Sequence, residues 1–167
     1  MQLPANIGVK FIGHEKDVAM LNDLVGSSMI GIDTEWLPTL TQFDEVKRPG
    51  LIQLSNDKTA YLIDIVNLSK NPALDAMLTQ IFTHPDSLII GFSFHGDLEL
   101  LVECLPEMQF YKTFTNFIDA QEYFTKIQKF ENNRPGLATV VKALFEKELC
   151  KEEQMSNWEK RPLRLTQ

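Results

Sequence analysis

The sequence predicts an α/β fold, a mixed sheet with helices on both faces, from three observations. Short apolar runs bounded by turn residues recur through the first part of the chain. Two of them, Leu51–Leu54 and Ala60–Ile63, are separated only by the turn Asn56-Asp57-Lys58, which makes a hairpin and an antiparallel start. Beyond Pro72, strand and helix patterns alternate, and that alternation belongs to a sheet layered with helices.

Taken in order, Val9–Ile12 is a first short strand. His14 to Val25 carries Val18, Leu21 and Leu24 or Val25 at helical spacing. Met29 to Glu35 is a second strand, entered through Gly26-Ser27-Ser28, and the polar stretch Pro38 to Pro49 is a loop. The hairpin strands follow. Pro72 to Phe82 is a helix with Leu74, Met77, Leu78 and Ile81 on one face and its proline in the tolerated first turn. Ser87–Phe92 is a fifth strand, and Gly96–Cys104, Asp119–Gln128 and Leu137–Leu149 are helices, the last preceded by the loop Asn132 to Gly136.

With 167 residues, 44% of them hydrophobic, the chain suffices for one domain (1–167) with a sizeable core and is short for two. Cys104 and Cys150 stand far apart without metal-ligand spacing and read as reduced thiols of an intracellular protein. The stretch Met1 to Lys10 lacks an apolar h-region and no segment has the length of a membrane span, so neither secretion nor a membrane partner is expected. A net charge of −7 argues mildly against nucleic acid. Acidic metal ligands lower formal charge, however, and bound divalent ions reverse the field locally, so charge does not decide the partner.

Chemistry concentrates in Ile30-Gly31-Ile32-Asp33-Thr34-Glu35-Trp36. Residues two apart on a strand share a face, so Asp33 and Glu35 project together and repel. A divalent cation offsets that repulsion. Asp97 follows the strand Leu88-Ile89-Ile90 at the start of the next helix. Alone it reads as an aspartate favoured by the helix dipole. With Asp33 and Glu35 it makes a hard-oxygen cluster suited to Mg²⁺ or Mn²⁺.

These segments resemble the DEDD family of 3′–5′ exonucleases, which have an RNase H-like fold. Ile32 to Trp36 matches the first motif, and Ile90-Gly91-Phe92 through Gly96-Asp97-Leu98 the second. Leu51-Ile52-Gln53-Leu54, Tyr61-Leu62-Ile63-Asp64 and Glu153 to Leu163 extend the match over nearly the whole chain. Within the tyrosine branch the chain is most similar to the Nibbler-type group, with RNase D and the Werner exonuclease domain more distant. The resemblance implies two-metal hydrolysis of the terminal phosphodiester of RNA or single-stranded DNA, RNA favoured, with Asp33, Glu35 and Asp97 as catalytic metal ligands. It sets Thr34 and Trp36 beside the terminal nucleotide. For Trp36, packing on sugar or base and service as a strand-end core aromatic both stand.

The tyrosine branch also carries a Tyr-x-x-x-Asp on a late helix. None occurs after Trp158, and Tyr61, Tyr111 and Tyr123 each lack an aspartate four residues on. Three expectations follow: a chain truncated before that helix, which the intact motif wording favours; a partner chain that supplies it; or a non-catalytic nucleic-acid-binding or protein-interaction module. In the first case the chain's own activity is impaired. Asp119, a tempting fourth ligand, reads instead as a helix N-terminal residue tied to backbone amides, and His95 as a local hydrogen-bonding residue. The lysines and arginines of the helical half alternate with glutamates and read as a solvated face, with Lys160-Arg161-Pro162 the exception that reaches toward nucleic acid.

Overall fold

In the computed structural model, which describes residues 6–36, 48–127, 130 and 134–164, a mixed sheet runs β1-β4-β3-β2-β5-β6. Its strands are β1 (Gly8–Ile12), β2 (Met29–Trp36), β3 (Pro49–Ser55), β4 (Thr59–Asp64), β5 (Leu88–Gly91) and β6 (Phe117–Asp119). The hairpin β3–β4 and its neighbour β2 are antiparallel, as expected. The remaining pairs, β1 on β4, β5 on β2 and β6 on β5, are parallel. The first strand therefore joins the sheet beside β4, at an edge, and is not part of the antiparallel start.

The helices are α1 (Ile65–Leu68), α2 (Pro72–Phe82), α3 (His95–Cys104), α4 (Ala120–Lys126) and α5 (Leu137–Phe145). The helix expected after His14 is a 3₁₀ helix over Glu15–Leu24. Its buried residues Val18, Leu21 and Leu24 recur every third position, the spacing that aligns on one face at three residues per turn. The helix expected to reach Leu149 ends at Phe145, where Glu146 turns left-handed at φ 55°. Gln128, the expected end of α4, residues 38–47 of the loop expected at Pro38–Pro49, and Asn132 and Asn133 of the one expected at Asn132–Gly136 lie outside the described residues; Pro49 already belongs to β3.

One sheet face packs tightly. Ile30, Ile32, Ile52, Leu54, Tyr61, Ile63 and Ile89 meet Leu21 and Leu24, Leu74, Leu78 and Ile81 of α2, and Leu101 of α3 in one buried cluster. Burial of these branched side chains is the dominant favourable term. Across the opposite face a cavity of about 910 Å³ separates the sheet, at Gly31, Asp33, Gln53, Leu62 and Ile90, from α4 and α5. Among the described residues no helix is long and apolar enough to cross a membrane, and neither cysteine forms a disulfide.

Candidate active site

Alternation along β2 sorts its last residues onto two sides. Ile30, Ile32 and Thr34 are buried against the core, whereas Asp33 and Glu35 face away from it. Asp33 stands directly opposite Gln53 of β3, whose amide donates to Glu35 Oε1 at 3.3 Å. Burial raises the Asp33 carboxyl to about 6, against the pull of the Thr34 backbone amide and with a further push from Asp97. Asp33 also reaches solvent, which tempers that push. Glu35 is raised to about 7, first by burial and then by the Asp33 charge, with Gln53 opposing and Asp97 adding. The Asp33 charge thus acts on Glu35 in the direction that the expected repulsion requires.

Asp97 stands at the third position of α3 and is tied to the other side of β2. The Thr34 hydroxyl donates to Asp97 Oδ1, and the Trp36 indole N–H is shared between that same oxygen and Thr34 Oγ1, each at 2.7 Å. Thr34 is buried, and Trp36 packs half-buried against the core cluster. Both expected nucleotide neighbours therefore hold Asp97. Among the described residues no three His, Cys, Asp or Glu side chains gather closely enough to hold one ion. The donor set itself suits a hard divalent cation: Asp33 and Glu35 share a face, and burial raises both carboxyls.

Asp119 does what its helix-terminal position predicts, and more. Its carboxylate caps α4 through the amides of Gln121 and Glu122 and also accepts from the amides of Ser93 and Phe94, in the loop before α3. His95 pairs with Glu122 at 3.2 Å. Arg161, expected to reach toward nucleic acid, is instead committed to Asp64, which is fully buried, at 2.6 Å and to the Gly50 carbonyl at 2.9 Å. Gln53 and the Asp119 tie escaped the sequence reading. A glutamine inside the apolar run Leu51–Leu54 was the available sign for the first; the second depends on a contact between residues 26 apart.

A six-stranded mixed sheet in this order, with helices packed on it, is an RNase H-like fold. The chain belongs to the 3′–5′ exonuclease family, which it matches over residues 13–167. It is 32% identical to an exonuclease mut-7 homolog of Aedes aegypti across 92% of its own length, but spans only 23% of that protein. The crystal structure of the Aedes aegypti Nibbler EXO domain superposes with a TM-score of 0.83 at 27% identity, covering 99% of this chain and 81% of that one. Escherichia coli RNase D, at 21% identity, shares the fold with a TM-score of 0.74 over 95% of this chain and 39% of its own.

Proposed function

We propose that residues 1–167 form an exonuclease domain that hydrolyses phosphodiester bonds from the 3′ end of single-stranded nucleic acid inside the cell, RNA favoured over DNA, with Mg²⁺ or Mn²⁺. The observation that carries this reading is the pair Asp33 and Glu35, side by side at the end of β2 with raised carboxyls, in a chain of the exonuclease family. Asp33, Glu35 and Asp97 would hold the metal, whose chemistry when bound would be activation of a water and stabilisation of charge on the attacking and leaving oxygens. Gln53 orients Glu35 by donating to Oε1. Thr34 and Trp36 hold Asp97 from the core side, and the exposed part of the Trp36 ring offers a surface for the terminal nucleotide.

A second reading, a non-catalytic binding module, is favoured by one observation: Asp97 Oδ1 is committed to two protein donors. An assay on 5′-labelled single-stranded RNA with Mn²⁺ separates the two. A ladder of 3′-shortened products that Asp33→Ala abolishes supports the exonuclease. RNA binding without any ladder supports the module.

A further inference from the structure

We infer that Asp119 is a positioning residue that sets where Asp97 stands, an inference that rests on the proposed metal-binding role of Asp97. The observation is a shared carboxylate. Asp119 Oδ1 accepts from the amides of Ser93 at 3.0 Å, Gln121 at 2.9 Å and Glu122 at 3.3 Å, while Oδ2 accepts from Phe94 at 2.9 Å. Burial pushes this carboxyl up, but the four amides outweigh it and hold the group below the usual carboxylate range. It is ionised and fully used.

Two of those amides belong to the loop that launches α3. Phe94, the residue before α3, gives the helix no side-chain cap, and Ser93 takes φ 56°, a left-handed backbone that serine rarely adopts unaided. Register sets the connection. Gly91, the last residue of β5, pairs with Asp119 on β6, so the carboxylate lies beside the point where the chain leaves the sheet. Phe94 is then seated on Gly91, where a Cβ would come within 2.6 Å of the Phe94 Cβ. From Phe94 to Asp97 is three residues of helix start. Displacing Ser93 and Phe94 therefore displaces Asp97 relative to Thr34 and Trp36. Capping α4 alone would need only the amides of Gln121 and Glu122; the remaining bonds serve the loop.

Asp119→Ser tests this, because the single serine oxygen, one bond nearer the backbone, still caps α4 but replaces neither Oδ2, which holds Phe94, nor the reach by which Oδ1 also meets Ser93. The readout is the indole N–H signal of Trp36 in proton–nitrogen NMR, which senses Asp97 directly and is identified by its loss in Trp36→Phe. The expected result is a Trp36 signal shifted toward its place in Asp97→Asn, with Trp158 unmoved. Exchange of the Ser93 and Phe94 amides rises about tenfold or more, and the Kd for Mn²⁺ weakens by about tenfold. Asn71→Ala, which removes the cap of α2, is the control for lost stability and leaves the Trp36 signal in place.

A folded Asp119→Ser with native Trp36 signal and native amide exchange overturns the inference. Failure of both Asp119→Ser and Asp119→Asn to fold, beside a folded Asn71→Ala, also overturns it by assigning Asp119 to the fold alone. If the native chain takes up no Mn²⁺, the proposed function fails, and the indole signal still decides the positioning.

Discussion

The indole N–H of Trp36 donates to Asp97 Oδ1 at 2.7 Å, across 61 residues of sequence, and joins the end of β2 to the start of α3. The aromatic at the strand end thus packs on the core, one of its two expected readings, and holds Asp97 as well. Trp36→Phe keeps most of the packing and removes the donor. A hydrogen bond to a charged group contributes about 1.5–3 kcal/mol, so the metal-free variant should unfold at lower temperature by a share of that amount, since the site is only part-buried. Saturating Mn²⁺ should narrow the gap, because a cation becomes an alternative partner for the carboxylate. Thermal unfolding of both proteins with and without Mn²⁺ measures this, and a gap that widens would refute it.

Acid should stabilise the metal-free site. Asp33 is raised to about 6 and Glu35 to about 7, so between the unfolded carboxylate range near 4 and pH 7 the folded chain binds more protons than the unfolded one. With ν_N above ν_U, this contribution to stability falls as pH rises through that window and is lowest once both groups ionise. The Tm of Glu35→Gln should therefore gain on the native Tm as pH goes from 5 to 8. Parallel profiles for the two proteins would count against the raised carboxyls.

Metal addition should reverse that cost. An ion that binds only the folded state adds RT ln(1 + [L]/Kd), about 2.7 kcal/mol at a hundred times Kd. The Mn²⁺-induced rise in Tm should be larger at pH 8 than at pH 5.5, where protons compete for Asp33 and Glu35, and Asp33→Asn should remove most of it. A rise independent of pH and of Asp33 would place the ion elsewhere.

Much of this was legible in the chain because it was local. The apolar run Met29–Ile32 gave the strand, whose period of two put Asp33 and Glu35 on one face, and Pro72–Phe82 has the bounds its apolar spacing predicts. What escaped depends on distant contacts. The three-residue strand β6 is too short for any periodicity, and it exists because β5 pairs with it. Asp97 could be set at a helix start, but its attachment to the core side of β2 follows from the loop held by Asp119, not from its own neighbours.

At Gly50 the C-terminal segment packs directly on β3. A Cβ there would come within 2.3 Å of the Trp158 carbonyl oxygen and 2.7 Å of its carbon, both backbone atoms that cannot swing aside. Gly50→Ala should cost on the order of 1–3 kcal/mol as an overpacked contact and lift the segment around Trp158. Limited proteolysis should then cut sooner after Lys151 or Lys160 than in the native chain. Unchanged cleavage with unchanged Tm would mean that the segment adjusts freely.

The same segment is held by charge. Arg161 meets Asp64 through Nε at 2.7 Å and a terminal nitrogen at 2.6 Å, and its other terminal nitrogen donates to the Trp158 carbonyl at 2.7 Å. Asp64 is fully buried, and among the described residues Asn67 is its other side-chain partner, at 2.9 Å. Arg161→Met leaves that carboxylate without a counter-charge and should cost about 3–5 kcal/mol, the penalty of an orphaned buried charge. Asp64→Asn keeps the cap on α1 while removing the charge, so the double variant should recover much of the loss. A thermodynamic cycle over the four proteins gives a coupling well above the 0–1 kcal/mol of an exposed pair. If the single losses simply add, Arg161 holds the segment through the Gly50 and Trp158 carbonyls, and Asp64 is stabilised by Asn67 alone.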